Sequence, residues 1–483
     1  MAHYPNSFFN YSCLAHPYKN QMVPSRSMNS HKNLEDIKEL LYLMNLKAQP
    51  SRRAGLYQLK PSKELQELLD KYDEMGFNPP ITNDSVEADD YLFQGDILLN
   101  KKQAQLLARV PVTDQLEDKE NKRVTRQTTT FQELWNKRKP ILYDVESMSQ
   151  SVSVLIRRVI AFWMKNSCVR FRETDSTASL IRFVPQSGCW SYVGHQTSWK
   201  QQEISIGENC DSFGTVSHEI AHALGFLHTQ SREDRDDFVM INFLNIDPER
   251  LGNFMKDSDL WETFRLTPYD YGSVMQYDPY AFAINRRIPT VFAKDWRFQA
   301  TMGQRAAPSF SDIKAMNLLY KCDEKCKKKV NCTNGGYRNP KKCKVCICPP
   351  QFKGSTCSNL NKGQLPICNS KHLKANESWT SFTGCFGSSE TMTSFMDCNY
   401  LIEAEPGMRI QLKLKFLSSP YCYTSCPYQA VEVYEKNFDV AGMRLCCRVR
   451  ELTFTSESEL FSIRGLSRYG NVSFHVWYTQ IGK

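Results

Sequence analysis

The stretch that most constrains this chain is His218-Glu219-Ile220-Ala221-His222-Ala223-Leu224-Gly225-Phe226-Leu227-His228. Residues four apart share one face of a helix, so His218 and His222 can aim two imidazoles at one metal ion, with Glu219 beside them to act on water there. Gly225 permits the left-handed turn that ends a helix, after which the chain can fold back and His228 can supply a third nitrogen. Three protein ligands leave one coordination position open, which catalysis needs and a structural zinc site lacks. A lone histidine is more often a hydrogen-bonded imidazole than a ligand. Only nine of the 483 residues are His, so the bland reading does not account for three of them with a Glu and a Gly at these spacings. The extended pattern predicts a zinc metalloprotease.

The length fits about three domains. The net charge of +9 is mild and spread out, which fits an affinity for acidic surfaces and not a nucleic-acid specialist, and no nucleic-acid motif is present. The 18 cysteines are uneven: Cys13, then Cys168, Cys189 and Cys210, then fourteen beyond residue 321. That density reads as a disulfide framework made in an oxidising compartment. The sequons at Asn83, Asn331, Asn376 and Asn471 agree with export as a glycoprotein. No run reaches the length of a membrane span. Met1 to Lys32 is polar and has no apolar segment resembling a signal peptide. The cysteines outweigh that, and the chain is expected to be secreted.

In chain order, Leu34, Ile37, Leu41 and Met44, and then Leu65, Leu68, Leu69 and Tyr72, recur at helical spacing. Tyr91 to Ile97 is by itself only a turn with an acid in it. Lys122 to Arg126 follows an acidic, polar linker and holds a minimal basic processing site. From Phe131 the pattern becomes that of a folded domain. Val152, Leu155, Ile156, Val159, Ile160 and Trp163 fit one helix face, and runs at 169–171, 180–184 and 204–206 read as strands, giving an α+β domain. Some fifty residues after His228, Ser273-Val274-Met275-Gln276-Tyr277 has the form of the tight turn that metzincins place beneath the metal, with Met275 as its methionine.

From about Arg126 to Cys322 the chain resembles the astacin family of zinc endopeptidases, on the extended zinc string with Arg232 to Asp236, the Met-turn, Tyr271-Gly272, Met302-Gly303-Gln304 and Asp312. The resemblance implies a zincin-type domain split by an active-site cleft, one Zn2+ on His218, His222 and His228, and Glu219 as general base. It implies that Tyr277 is an additional metal ligand that swings away to bond the transition state. Phe93-Gln94-Gly95-Asp96 is similar to the family's latency motif, in which the carboxylate, here Asp96, ligates the metal in the latent form. A latch needs a downstream cut, and the activation cleavage by another protease is placed at Arg126; the intervening thirty residues can span roughly 100 Å. One departure stands out. The family usually has Glu directly after the third His, where it helps anchor the new N-terminus, and this chain has Thr229.

The resemblance also pairs Cys168 with Cys322 and Cys189 with Cys210. Cys326, Cys332, Cys343, Cys346, Cys348 and Cys357 are spaced like an EGF-like module, implying Cys326–Cys343, Cys332–Cys346 and Cys348–Cys357. In an exported chain disulfides outweigh zinc for Cys343, Cys346 and Cys348. Met408, Ile410, Leu412, Leu414 and Phe416 alternate with polar residues, as do Val472, Phe474, Val476 and Tyr478. Each predicts a strand with one buried face, and two such sheets make an all-β sandwich resembling a CUB domain. Cys368 with Cys398 fits that resemblance, whereas Cys385, Cys422, Cys426, Cys446 and Cys447 exceed it and their pairing stays open.

The expected organisation is a pro-segment over 1–126, a metalloprotease domain over 127–322, an EGF-like module over 323–358 and a CUB-like domain over 368–480. The expected function is a secreted, latent zinc metalloendopeptidase acting on extracellular proteins. The rival is a non-catalytic matrix-binding protein that uses its C-terminal modules; its mark would be a lost ligand or base, and none is lost.

Overall fold

The computed structural model describes residues 63–75, 92–100, 102–104, 107, 133–175, 180–256, 266–327, 330–363, 368, 370–388, 390–392, 395–419, 421–447 and 449–482. The helix expected over Leu34 to Met44, Cys13, the Asn83 sequon and the cut site at Arg126 lie outside them. The second expected helix is α1, Lys63–Met75. Its Leu65 and Leu68 are buried against Tyr280 and Phe292.

A seven-stranded sheet carries the centre of the molecule. Its strands are β1 (Leu92–Phe93), β2 (Ile97–Leu98), β3 (Ile141–Asp144), β4 (Phe171–Glu173), β5 (Leu180–Val184), β6 (Cys189–Tyr192) and β7 (Gln201–Ile206), in the order β1-β2-β6-β7-β5-β3-β4. The long helix α2, Gln150–Asn166, starts on Ser149, whose hydroxyl accepts from Val152 N. It buries Ile156, Val159, Ile160 and Trp163 in the core beneath the sheet. Helix α3, Phe213–Ala223, joins that core through Val216, Ile220 and Ala223. The two strands β1 and β2 lie within 1–126, the stretch expected to be a pro-segment. They extend the sheet because β2 pairs in parallel with β6, Ile97 opposite Ser191.

A second lobe is built from 3-10 turns, the pair β8 (Val239–Ile241) and β9 (Val291–Ala293), a 3-10 turn over Trp296–Thr301, and helix α4, Phe310–Leu319. Cys168–Cys322 and Cys189–Cys210 are bonded. The lobe after α4 is small, with two two-stranded sheets, β10 (Tyr337–Arg338) with β11 (Cys346–Ile347) and β12 (Phe352–Lys353) with β13 (Asn359–Leu360). It is held by Cys326–Cys343, Cys332–Cys346 and Cys348–Cys357.

The last lobe is a sandwich. One sheet holds β14 (Lys371–Lys374), β16 (Met396–Glu403), β18 (Gln429–Tyr434), β19 (Met443–Leu445) and β21 (Leu460–Ser467). The other holds β15 (Thr380–Ser388), β17 (Arg409–Ser418), β20 (Val449–Thr455) and β22 (Gly470–Ile481). Cys368 is bonded to Cys398. The five cysteines left open by sequence resolve into Cys422–Cys447 and Cys426–Cys446, with Cys385 exposed and unpaired among the described residues. Strand β22 alternates as expected, with Val472, Phe474, Val476 and Tyr478 buried.

Strand β17 departs at one point. Its pairing with β22 slips between Leu414 and Phe416, a β-bulge at Lys415. One extra residue inverts the period of two. Leu417 therefore takes the inward place at 0 % exposure, while Phe416, expected inside, is 45 % exposed.

Candidate active site

Ser212 caps α3 by accepting from Thr215 N at 3.0 Å, and the helix then carries His218 and His222 on one face. It stops at Leu224, Gly225 takes φ +103°, and the returning chain brings His228 to the same point. All three rings are almost fully buried.

Each ring is fixed from behind. His218 Nδ1 is 2.8 Å from Val274 O, His222 Nδ1 is 2.8 Å from Phe226 O, and His228 Nδ1 is 2.8 Å from Gln94 Oε1. Oxygen acceptors on every Nδ1 place the ring proton there and leave every Nε2 as a bare lone pair. Burial, first, and the neighbouring His222 push the pKa of His218 down to about 3; burial also lowers His228. Yet the Nε2 atoms of His218 and His222 are only 3.0 Å apart. Asp96 Oδ2 lies 3.0 Å from the Nε2 of both His218 and His228, and Asp96 Oδ1 is buried with no hydrogen-bond partner. Converging lone pairs and a carboxylate repel unless a cation stands among them. These four residues offer ligand atoms all within 4.8 Å of one another. A set of three imidazole nitrogens and one carboxylate suits zinc.

Asp96 reaches this point on the turn between β1 and β2. Gln94 is left-handed at φ +52° and Gly95 at φ +79°, where a Cβ would stand 2.6 Å from the Phe282 ring. Only glycine fits there. Gln94, fully buried, does more than fill the turn. Its amide also donates to Ser231 Oγ at 2.8 Å, and its main-chain oxygen accepts from the Tyr277 hydroxyl.

The floor of the site is the turn 273–277. Met275 is buried in the core, and its carbonyl accepts from Thr229 N at 3.0 Å. Asp312, the N3 residue of α4 and part of its capping box, accepts from Ser273 Oγ at 2.6 Å and Val274 N at 2.8 Å. Gln304 donates to Gly272 O at 2.7 Å. Motif residues far from the histidines in sequence thus pin the turn whose Val274 O holds His218 in place.

Glu219 is buried beside this cluster, with Oε2 lacking a partner among the described residues. Burial, and then the charge of Asp96, push its carboxyl well up. It lines a cavity of about 260 Å³ together with His218, Tyr277, Asp278, Phe282 and Arg305.

Thr229 lines a separate small cavity with Asp270, Ser273 and Asp312. Asp270 Oδ2 is buried there with no hydrogen-bond partner among the described residues, and burial, with Asp312 nearby, raises its pKa to about 6. Sequence reasoning passed over Asp270, and also Gln230, whose side-chain oxygen accepts from Tyr277 N at 3.0 Å. Neither stands in a spacing that signals chemistry. Gln94 was visible only as the variable position of the latency motif.

Residues 127–321 match the family model described as Astacin, a peptidase family. The chain is 38% identical over 402 residues to zinc metalloproteinase nas-28 of Caenorhabditis elegans, covering 82% of this chain and 80% of that one. It is 31% identical to zinc metalloproteinase nas-27 of the same species, covering 83% and 92%. A solved structure, the medaka hatching zinc-protease high choriolytic enzyme 1, aligns at 32% identity with 42% of this chain and 99% of its own, at a TM-score of 0.36. Similarity running through four fifths of both chains, together with a buried three-histidine cluster on one helix and its return loop, establishes that this chain belongs to the astacin family and is a zinc metalloendopeptidase.

Proposed function

We propose that the protein is a secreted zinc endopeptidase made as a latent zymogen, in which the pro-segment within 1–126 blocks the site until a second protease cuts at Arg126. The catalytic domain is 127–322, followed by the EGF-like module over 323–358 and the CUB-like domain over 368–480. The observation that carries latency is the seat of Asp96, 3.0 Å from two of the three ligand nitrogens. Eight disulfides among the described residues support an extracellular setting for enzyme and protein substrates. Among those residues no helix is long and apolar enough to cross a membrane.

His218, His222 and His228 would hold the zinc, which when bound would supply Lewis acidity toward the scissile carbonyl and a water. Glu219 takes the proton from that water as it attacks and delivers it to the leaving nitrogen. Tyr277, freed from Gln94 when the pro-segment leaves, donates to the developing oxyanion. Strand β6, which now pairs with β2, becomes an open sheet edge where a substrate backbone can add as a strand.

The test is hydrolysis of a denatured protein by the full chain before and after limited trypsin treatment, with the new N-terminus sequenced. Activity appearing only after the cut near Arg126 is expected. Full activity of the uncut chain would refute latency.

A further inference from the structure

Four of the five cysteines in excess of the CUB resemblance build a knuckle. Cys422–Cys447 and Cys426–Cys446 close the loop before β18, and inside it Ser425 and Cys426 are both left-handed, at φ +63° and +46°. Two successive residues in that region are costly unless their surroundings hold them. Here the two bridges do.

The knuckle is pressed into the catalytic domain. Ala300, from the 3-10 turn after β9, is buried in one cluster with Cys426, Ala430, Cys446, Cys447 and Leu466. Thr301 Oγ1 accepts from Arg444 N at 2.9 Å, and Arg297 pairs with Glu435 at 3.1 Å. Ser425 Oγ lies 2.8 Å from Met302 O and 3.3 Å from Asp278 Oδ2, so one hydroxyl proton is shared by two acceptors on the catalytic side.

Asp278 is the residue directly after Tyr277 and lines the zinc-site cavity. Its other oxygen accepts from Tyr280 N at 2.8 Å, and its carbonyl accepts from Ala281 N at 3.1 Å, which closes the turn 278–281. That turn delivers Phe282, whose ring packs 5.8 Å from the ring of Tyr277 and covers Gly95. Gly303, next to Met302, approaches so closely that a Cβ would stand 2.6 Å from Asp278 Cα. Knuckle, Met302-Gly303 and Asp278 are therefore stacked in contact, and the stack ends on the cleft wall.

We propose that the sandwich module completes the protease: Ser425 is a positioning residue that, through Asp278, fixes the Tyr277–Phe282 wall of the cleft. The inference rests on the reading of that cleft as the substrate site. A C-terminal module that merely tethers substrate would not need to touch the residue beside Tyr277.

The test is a double-mutant cycle in the full chain, activated by cutting, with bound zinc verified for each variant. Ser425→Gly removes the hydroxyl and suits the left-handed backbone. It is expected to lower kcat/KM about three- to tenfold, the scale of one hydrogen bond. On an Asp278→Ala background it should change kcat/KM by less than about twofold, because the residue it acts through is gone. Thr301→Val, which weakens the same interface away from Asp278, should leave kcat/KM unchanged and lower only the melting temperature. In parallel, amide exchange over 277–283 should quicken in Ser425→Gly while that over 213–223 stays as in the wild type. Unchanged kinetics, full additivity in the cycle, or exchange that is unaltered or raised evenly across the chain would overturn the proposal. The exchange measurement decides even if the cut wild-type chain cleaves nothing, an outcome that would count against the function and not against the positioning.

Discussion

The hydroxyl of Tyr277 donates to the main-chain oxygen of Gln94 across 2.5 Å, so the same turn that brings Asp96 to the histidines also occupies the phenol. The proposed latency would then have two arms, one on the metal site and one on the oxyanion donor. Tyr277→Phe is expected to reduce kcat of the cut enzyme by about a hundredfold or more, in the range of other oxyanion donors. In the uncut chain the same change should cost about 1 kcal/mol of stability, read as a lower melting temperature. A cut Tyr277→Phe enzyme with wild-type kcat would remove the phenol from the mechanism.

Asp96 Oδ2 touches two ligand nitrogens, whereas the rest of the turn is held by Gln94 and by pairing of β2 with β6. Replacing Asp96 with Ala keeps those contacts and removes the carboxylate. The uncut Asp96→Ala chain should therefore show measurable hydrolysis of a short peptide. An uncut variant that stays inert, and becomes active on trimming, would assign latency to steric cover.

Asp270 is 3% exposed, and its pKa is raised to about 6 from an ordinary 3.8, by burial first and Asp312 second. The folded chain thus holds this proton more tightly than the unfolded chain does. Its contribution to stability is present below about pH 4 and is lost as pH rises through 6, by about 3 kcal/mol for two units. Asp270→Asn cannot ionise and still offers an oxygen to Gly272 N and Ala441 N, which Asp270 now satisfies. Relative to wild type, its melting temperature should rise between pH 4 and 7. Parallel pH profiles for the two proteins would contradict this.

Much of the site was legible because its chemistry is local in sequence. Helical spacing alone aims His218 and His222 together, and Gly225 marks the return that brings His228. Asp96 stands 122 residues from His218, and the sequence joined the two only through a family likeness. The backing of the site was less legible. Val274 O and Phe226 O hold the rings of His218 and His222 through main-chain oxygens, which carry no residue signature. Alternation read the faces of β22 correctly and failed on β17, because a single bulge at Lys415 exchanges inside for outside and leaves no mark in a period-two pattern. The knuckle at Cys422 to Cys447 was invisible for a combinatorial reason: five cysteines allow many pairings, and only the fold selects among them.

The most direct test of the account is Glu219→Ala, assayed on a denatured protein after the activating cut with bound zinc measured in the same sample. Among the described residues Glu219 Oε2 has no partner and Glu219 is not among the converging ligands, so zinc content should stay near one per chain. Hydrolysis should fall by at least the roughly 10²–10⁴-fold typical of a lost general base. Wild-type hydrolysis by the zinc-loaded Glu219→Ala enzyme would contradict the assignment of the base and, with it, the mechanism built on this site.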